Sequence, residues 1–467
     1  MRPYPWRSAV GAGTLAVGLL LGASACDSGT PDDAGTPGPG GTTSAPAAPG
    51  EAVTFAPGVT VPETRAGQAT SWVLEQLAAA EGPSAREAEE RFAEVFLEQV
   101  PAGEVAAVFA QLRGGGPFVV EGYAGTEDAA QLPLAGAADR LLLHVGTEPD
   151  GRMNLLFFEA ATPVPKVGSL DELESAVADL GIEASLLIAD GETCEPVRAR
   201  EADVPRPVGS VFKLYVLDAV RQAVADGELG WEDTVTVTDD LRSLPTGRLQ
   251  DEPAGHEVSV REAAELMIAI SDNTATDLLV DAVGRDTVEA AVARLGHHEP
   301  ELLTPLPMTR EMFQLAFTDR DLREQWSGAA GPEERSEILA GLPGGTVEVD
   351  PALAQDVVWP LGIDWFATAE DVCRAHVGLR DVPEAGAVAE ILALNPGIAP
   401  SEGWDYVGYK GGAMVGEVAG SWYLEDETGE SYVVVVQLAA TDAAAVPDPG
   451  WMVGVVGQAV EVLGEEA

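Results

Sequence analysis

The sequence predicts an α+β protein of two folded units behind an N-terminal leader, and three observations carry that expectation. At 467 residues the chain exceeds one ordinary domain. Between residues 66 and 165 apolar residues recur first at helical and then at strand spacing. From 168 to 467 the order is helix, strands, a mostly helical middle, strands and a last helix. That order fits an antiparallel sheet in which the two ends of the segment pair, with a helical lobe beside it.

The leader comes first. Arg2 and Arg7 precede the apolar run VGAGTLAVGLLLGASA, too short and too rich in small residues to span a bilayer comfortably, so 1–25 reads as a signal peptide. The run ends at LGASAC, which resembles a bacterial lipobox and makes Cys26 the expected lipidation site, with Ala23 where Leu or Val is more usual. Residues 26–65 are rich in Gly, Pro, Ser and Thr and read as a disordered tether. Together these features predict an extracytoplasmic protein held to the cell membrane by a lipid. Export would place Cys194 and Cys373 in an oxidising compartment, where they either pair or stay as two buried thiols. A formal net charge of −51, from 77 acidic and 26 basic residues, argues against a nucleic-acid partner.

The first unit, 66–165, opens with helical periodicity broken at Pro83 and continues with the strand-like runs GPFVVEGYAG, DRLLLHVGTE and RMNLLFFEAAT. No cluster of catalytic groups appears in it, and His144, within an apolar run, reads as a core residue. The second unit, 168–467, begins with the amphipathic SLDELESAVADLG and the strand ASLLIAD. It ends with the strands DYVGYKGGA, EVAGSWYLED and ESYVVVVQLAA and a helix through WMVGVVGQAVEVLG.

Its chemistry is marked by lysine. The chain has only three, Lys166, Lys213 and Lys410, in a sequence that otherwise uses arginine. An ammonium can give up its proton and act as a base, whereas a guanidinium cannot. Ser210 and Lys213 stand three apart at the start of the helix after Pro207, so their side chains share a face. A serine hydroxyl becomes a nucleophile when a neighbouring base takes its proton, and a desolvated lysine amine can be that base. Two further elements come after it in order: Ser271-Asp272-Asn273 after a helix, and Lys410-Gly411-Gly412-Ala413 on a late strand. Each alone is weak, the former reading equally as a helix cap. Their order and context together form one known constellation.

On these residues, with the flanks PVGSVFKLYVL, MIAISDNTATDLL and GYKGGA, the segment 168–467 resembles the penicillin-recognising serine hydrolases, specifically the class A β-lactamase-like family. The resemblance implies Ser210 as acylated nucleophile and Lys213 as its base. It implies Ser271 as proton shuttle held by Lys410, and Asn273 as ligand of a substrate amide. Gly411 and Gly412 would let substrate lie along the strand, and the N–H groups of Ser210 and Ala413 would form the oxyanion hole. No cofactor and no metal is implied. The whole layout, including FVVEGYAG, LLLHVG and LTPLPMTREMFQL, is similar to the clavulanic-acid-biosynthesis type of serine hydrolase, which joins a steroid-isomerase-like domain to a β-lactamase-like one.

Two departures stand out. Gly411 replaces the usual Thr or Ser and removes a hydroxyl. The segment HHEPELLTPLPMTREMFQLAF lacks the Glu-x-x-x-Asn pattern that supplies a deacylating water, and Glu299, Glu301 and Glu311 are its nearest carboxylates. The expected function is therefore an exported serine hydrolase acting through an acyl-serine on β-lactams or small esters. A cell-wall D-alanyl peptidase or transpeptidase, and a non-catalytic β-lactam-binding or sensor lipoprotein, are the alternatives.

Overall fold

The computed structural model describes residues 53–466, apart from 57–58, 98, 126, 138–139, 381 and 399–402. The expected signal segment, its lipidation site Cys26 and most of the tether lie outside the described residues. The rest divides between Pro163 and Val164 into two compact units. Among the described residues no helix is long and apolar enough to cross a membrane.

The N-terminal unit packs helices against a six-stranded sheet. Thr64 and Ser84 cap the helices Arg65–Ala78 and Ala85–Arg91 through their side-chain oxygens, and Glu94–Leu97 and Ala102–Arg113 follow. Trp72 stands edge-on to Phe92 and Phe109, with ring centroids 5.8 and 5.9 Å apart, and this aromatic cluster centres the core. The strands Ala129–Ala135, Arg140–Thr147 and Met153–Ala161 pair antiparallel, as their short connections require. One expectation is corrected: the tether does not run to residue 65. Val53–Phe55 is a strand that pairs in parallel with Phe118–Val120. Three residues are too few to reveal a period in sequence, and their pairing is set by chain far away.

In the C-terminal unit one five-stranded antiparallel sheet runs in the order Trp404–Met414, Glu417–Asp426, Ser431–Ala439, Glu183–Asp190, Pro196–Arg200. The two ends of this unit do pair, with Tyr432 opposite Asp190 and Ala439 opposite Glu183. Four consecutive valines explain how the sheet is covered on both faces. Val433 and Val435 face the helical lobe, whereas Val434 and Val436 face the helices Leu170–Ala178 and Pro449–Glu466. Inside the lobe the helix Lys213–Ala225 is buried nearly all round, from Leu214 to Ala223, so its first turn is rigid and dry. Cys194 and Cys373 form a disulfide across 179 residues, tying the turn after Glu183–Asp190 to the helix Ala369–Gly378. Closing so long a loop contributes about 2–5 kcal/mol.

Candidate active site

The turn that carries Ser210 is a short 3-10 helix, Gly209–Phe212, which passes directly into the helix that begins at Lys213. Three residues per turn eclipse positions i and i+3, so Ser210 and Lys213 are stacked on one face. Lys213 is fully buried while Ser210 is only partly so. The Lys213 Nζ donates to the Ser271 carbonyl at 2.7 Å and to Asn273 Oδ1 at 2.7 Å, and lies 3.1 Å from Ser271 Oγ. On the other side of the same hydroxyl stands Lys410, whose Nζ is 3.1 Å from Ser271 Oγ and 2.7 Å from the Gly411 carbonyl. Two lysine amines thus share one serine hydroxyl.

Burial dominates the electrostatics of this pair. It drives the Lys213 amine well below the ordinary lysine range, and the positive charge of Lys410 pushes the same way. Burial also lowers Lys410, to about 7. Ser271 reaches between the amines from a left-handed backbone, φ 57°, a conformation that a non-glycine residue holds only when its surroundings impose it. Those surroundings are hydrogen bonds. Asp272 accepts from the N–H groups of Arg248, Leu249 and Ala275, while Thr246 Oγ1 donates to the Ser271 carbonyl. The segment from 304 supports the motif from below, since Thr309 Oγ1 lies 3.1 Å from the Asn273 carbonyl and 2.8 Å from Asp277 Oδ1.

The strand Trp404–Met414 closes the site. A Cβ at Gly412 would stand 2.6 Å from the Ser210 nitrogen and 2.2 Å from the Val208 carbonyl, so only glycine permits this approach. A Cβ at Gly209 would stand 3.0 Å from the Ala413 nitrogen, which brings the two amides expected to hold an oxyanion to the same place. Gly411 has its own reason. Its Cβ would lie 2.1 Å from the Tyr409 hydroxyl, two residues back on the same face, so the tyrosine occupies the room a Thr or Ser side chain would need. Burial pushes that phenol up to about 12, and it stays a neutral donor at ordinary pH.

The structure therefore brings together Ser210, Lys213, Ser271, Asn273, Lys410, Gly411, Gly412 and Ala413. Asn273 Oδ1 accepts from Lys213 and one of its two Nδ2 hydrogens goes to the Leu244 carbonyl at 3.1 Å, which leaves the other hydrogen for a substrate amide. The three glutamates do not enter. Glu311 binds the Arg285 guanidinium at 2.8 and 2.9 Å and accepts from the Met308 N–H at 2.8 Å, while Glu299 and Glu301 are exposed or nearly so. Residues missed in the sequence are the supports Asp277 and Thr309 and the space-filling Tyr409, none of which carries a motif of its own, while Asp272 caps the helix Asn273–Val283 as its motif's other reading expects.

One group elsewhere has metal-ligand character. Ligand atoms of His297, His298 and Asp371 lie within 4.8 Å of one another. They are already engaged: His297 Nδ1 accepts from the Glu299 N–H and its Nε2 faces the Phe366 carbonyl, while Asp371 binds His298, Thr368 and Arg374. That set is a structural network around a helix start.

Residues 61–153 match the family described as ORF 12 gene product N-terminal. No curated protein matches the chain. Among solved structures, a β-lactamase from Sphaerobacter thermophilus is 20% identical, with 64% of this chain and 98% of that one covered at a TM-score of 0.46. A β-lactamase from Chitinophaga pinensis is 15% identical over 63% of this chain and 98% of that one, TM-score 0.45. PBP-A is 18% identical over 64% and 99%, TM-score 0.42. Residues 170–344, which hold Ser210, Lys213 and the Ser271 motif, match the β-lactamase enzyme family.

Proposed function

We infer that the protein is an exported serine hydrolase that forms an acyl-serine on Ser210 from β-lactams or small esters. The observation that carries this reading is the pair of buried lysine amines on either side of Ser271, of which Lys213 lies one helical turn from Ser210. A neutral Lys213 has two N–H groups, which the Ser271 carbonyl and Asn273 Oδ1 take up, and its lone pair is left for a hydroxyl. That lone pair removes the Ser210 proton as Oγ attacks the substrate carbonyl. The Ser210 and Ala413 amides receive the oxyanion, and Ser271, held by Lys410, passes a proton to the leaving group.

Intact-protein mass spectrometry after incubation with a penicillin and with a cephalosporin tests the reading. A mass increase equal to one opened lactam, located on the peptide holding Ser210, is the expected result. An unchanged mass with every β-lactam and every activated ester tried would leave the non-catalytic lipoprotein as the better account. Turnover of D-alanyl-D-alanine peptides with only feeble ester cleavage would favour the cell-wall peptidase.

The location is inferred from LGASAC and is supported by the Cys194–Cys373 disulfide, a bond that persists in oxidising compartments. The mature protein should fractionate with membranes through a lipid on Cys26. A Cys26→Ser variant that stays in the membrane fraction would count against the anchor.

A further inference from the structure

Behind the turn that carries Ser210 lie two carboxyl groups that the proposed chemistry does not use. Glu417 opens the strand Glu417–Asp426, is 1% exposed, and has no hydrogen-bond partner on either carboxyl oxygen. Asp364 is 5% exposed; its Oδ1 accepts from the Gly209 N–H at 3.0 Å and from the Trp365 N–H at 2.7 Å, and its Oδ2 has no partner. The two groups meet at Gly209, whose φ is 46° and whose missing Cβ would lie 2.7 Å from Glu417 Oε1.

Two neighbouring buried carboxylates without donors between them are a costly arrangement, and one proton removes the cost. The donors decide which oxygen carries it. Two backbone N–H groups hydrogen-bond Asp364 Oδ1 and favour its charged form, whereas the Met414 N–H acts on Glu417 without reaching a full hydrogen bond. Burial and the adjacent Asp364 charge both raise Glu417 well above the ordinary carboxyl range. Burial lifts Asp364 as well, against the pull of its N–H donors.

We propose that Glu417 is a positioning residue, protonated at neutral pH and donating to Asp364 Oδ2, so that one negative charge and not two stands behind the nucleophile turn. The inference rests on Ser210 being the nucleophile. The turn is docked on the segment 364–365 at three points: the Val208 N–H to the Trp365 carbonyl at 2.9 Å, the Gly209 N–H to Asp364, and the Phe212 ring stacked on Trp365 at 3.9 Å. Moving Asp364 therefore moves Ser210. A second charge on Glu417 would also oppose an oxyanion forming at the Ser210 and Ala413 amides. Glu417 pairs with Met414 on one neighbouring strand and Ala439 on the other, neither of them titratable. Of the charged groups around it Asp364 acts on it, while Lys410 is held by Ser271 and the Gly411 carbonyl.

Two measurements test this. The first needs no activity: the thermal midpoint of Ser210→Ala is tracked between about pH 5 and pH 9, with and without Glu417→Gln. A carboxyl whose folded pKa lies above its unfolded one contributes stability in full below the unfolded value and loses it as pH rises through the folded value. Glutamine keeps a neutral donor at every pH, so the double variant should lose less in midpoint over that range than its parent. An identical decline in both overturns the proposal. The second is the rate of Ser210 acylation by a fluorescent penicillin against pH. Glu417→Gln should keep most of the rate and shift its alkaline fall to higher pH. Glu417→Ala, which leaves Asp364 Oδ2 orphaned, should slow acylation about tenfold. Glutamine as damaging as alanine, or an unmoved alkaline limb, overturns the positioning role. Should the unsubstituted protein fail to acylate, the reading of Ser210 falls, and the midpoint comparison still decides Glu417.

Discussion

Ser210→Ala is expected to abolish covalent labelling by a fluorescent penicillin, and Lys213→Arg to slow it by about 10² to 10⁴, the usual worth of a positioned base. The second substitution is the sharper test, because it keeps the charge and removes the function. Lys213 is fully buried and driven below the ordinary lysine range by burial and by Lys410, so its amine can be neutral at working pH. Arginine at the same place would stay charged, next to Lys410, and offer no lone pair. The pH dependence has a definite sign. A base must be unprotonated, so acylation rises with pH through the titration of Lys213, and that limb should lie well below the ordinary lysine range. Stopped-flow labelling across pH checks both points, and a thermal midpoint near that of the parent separates lost chemistry from lost folding. Labelling of Lys213→Arg at the parent's rate would remove Lys213 from the base role.

Legible in the sequence is whatever depends on neighbours within a few residues. The run VVVV announces a strand, and GSVFK announces a serine and a lysine on one helical face. The three motifs are readable because each is local, and the lysines because the chain otherwise uses arginine. Hidden from it are features that depend on partners far along the chain. Asp364 holds Gly209 from 155 residues away, a contact that no local pattern announces. The disulfide joins cysteines 179 apart, a pairing that spacing alone leaves open. Glycine at 411 reads in sequence as a missing hydroxyl, whereas in the fold the Tyr409 side chain fills its place. The strand Val53–Phe55 is too short to show alternation and reads as tether, because the partner that makes it a strand lies more than sixty residues on, with Val53 opposite Phe118.

Deacylation is where this site should depart most from enzymes that destroy penicillins. A penicillin adduct on Ser210 should persist, while small activated esters should turn over. Clearing an acyl-serine needs a water held and deprotonated near the ester, a service worth about 10² to 10⁴ in rate. The carboxylates nearest in sequence are spent elsewhere or turned outward. Glu311 is committed to Arg285 and to the start of its own helix, and Glu299 and Glu301 lie on or beside the turn Pro300–Leu303. Asp277 is buried and raised to about 7, but its oxygens accept from Thr309 and Arg310 and serve that helix start. Lys213, once relieved of the Ser210 proton, remains a slow base for any water that a small acyl group leaves room to enter. A penicilloyl group leaves less room. Time-resolved mass spectrometry should therefore find a penicillin adduct that outlasts the excess drug, beside repeated turnover of a simple ester. Rapid multiple-turnover hydrolysis of penicillins would overturn this and would require Glu299, Glu301 or Glu311 to leave the partners and positions described here.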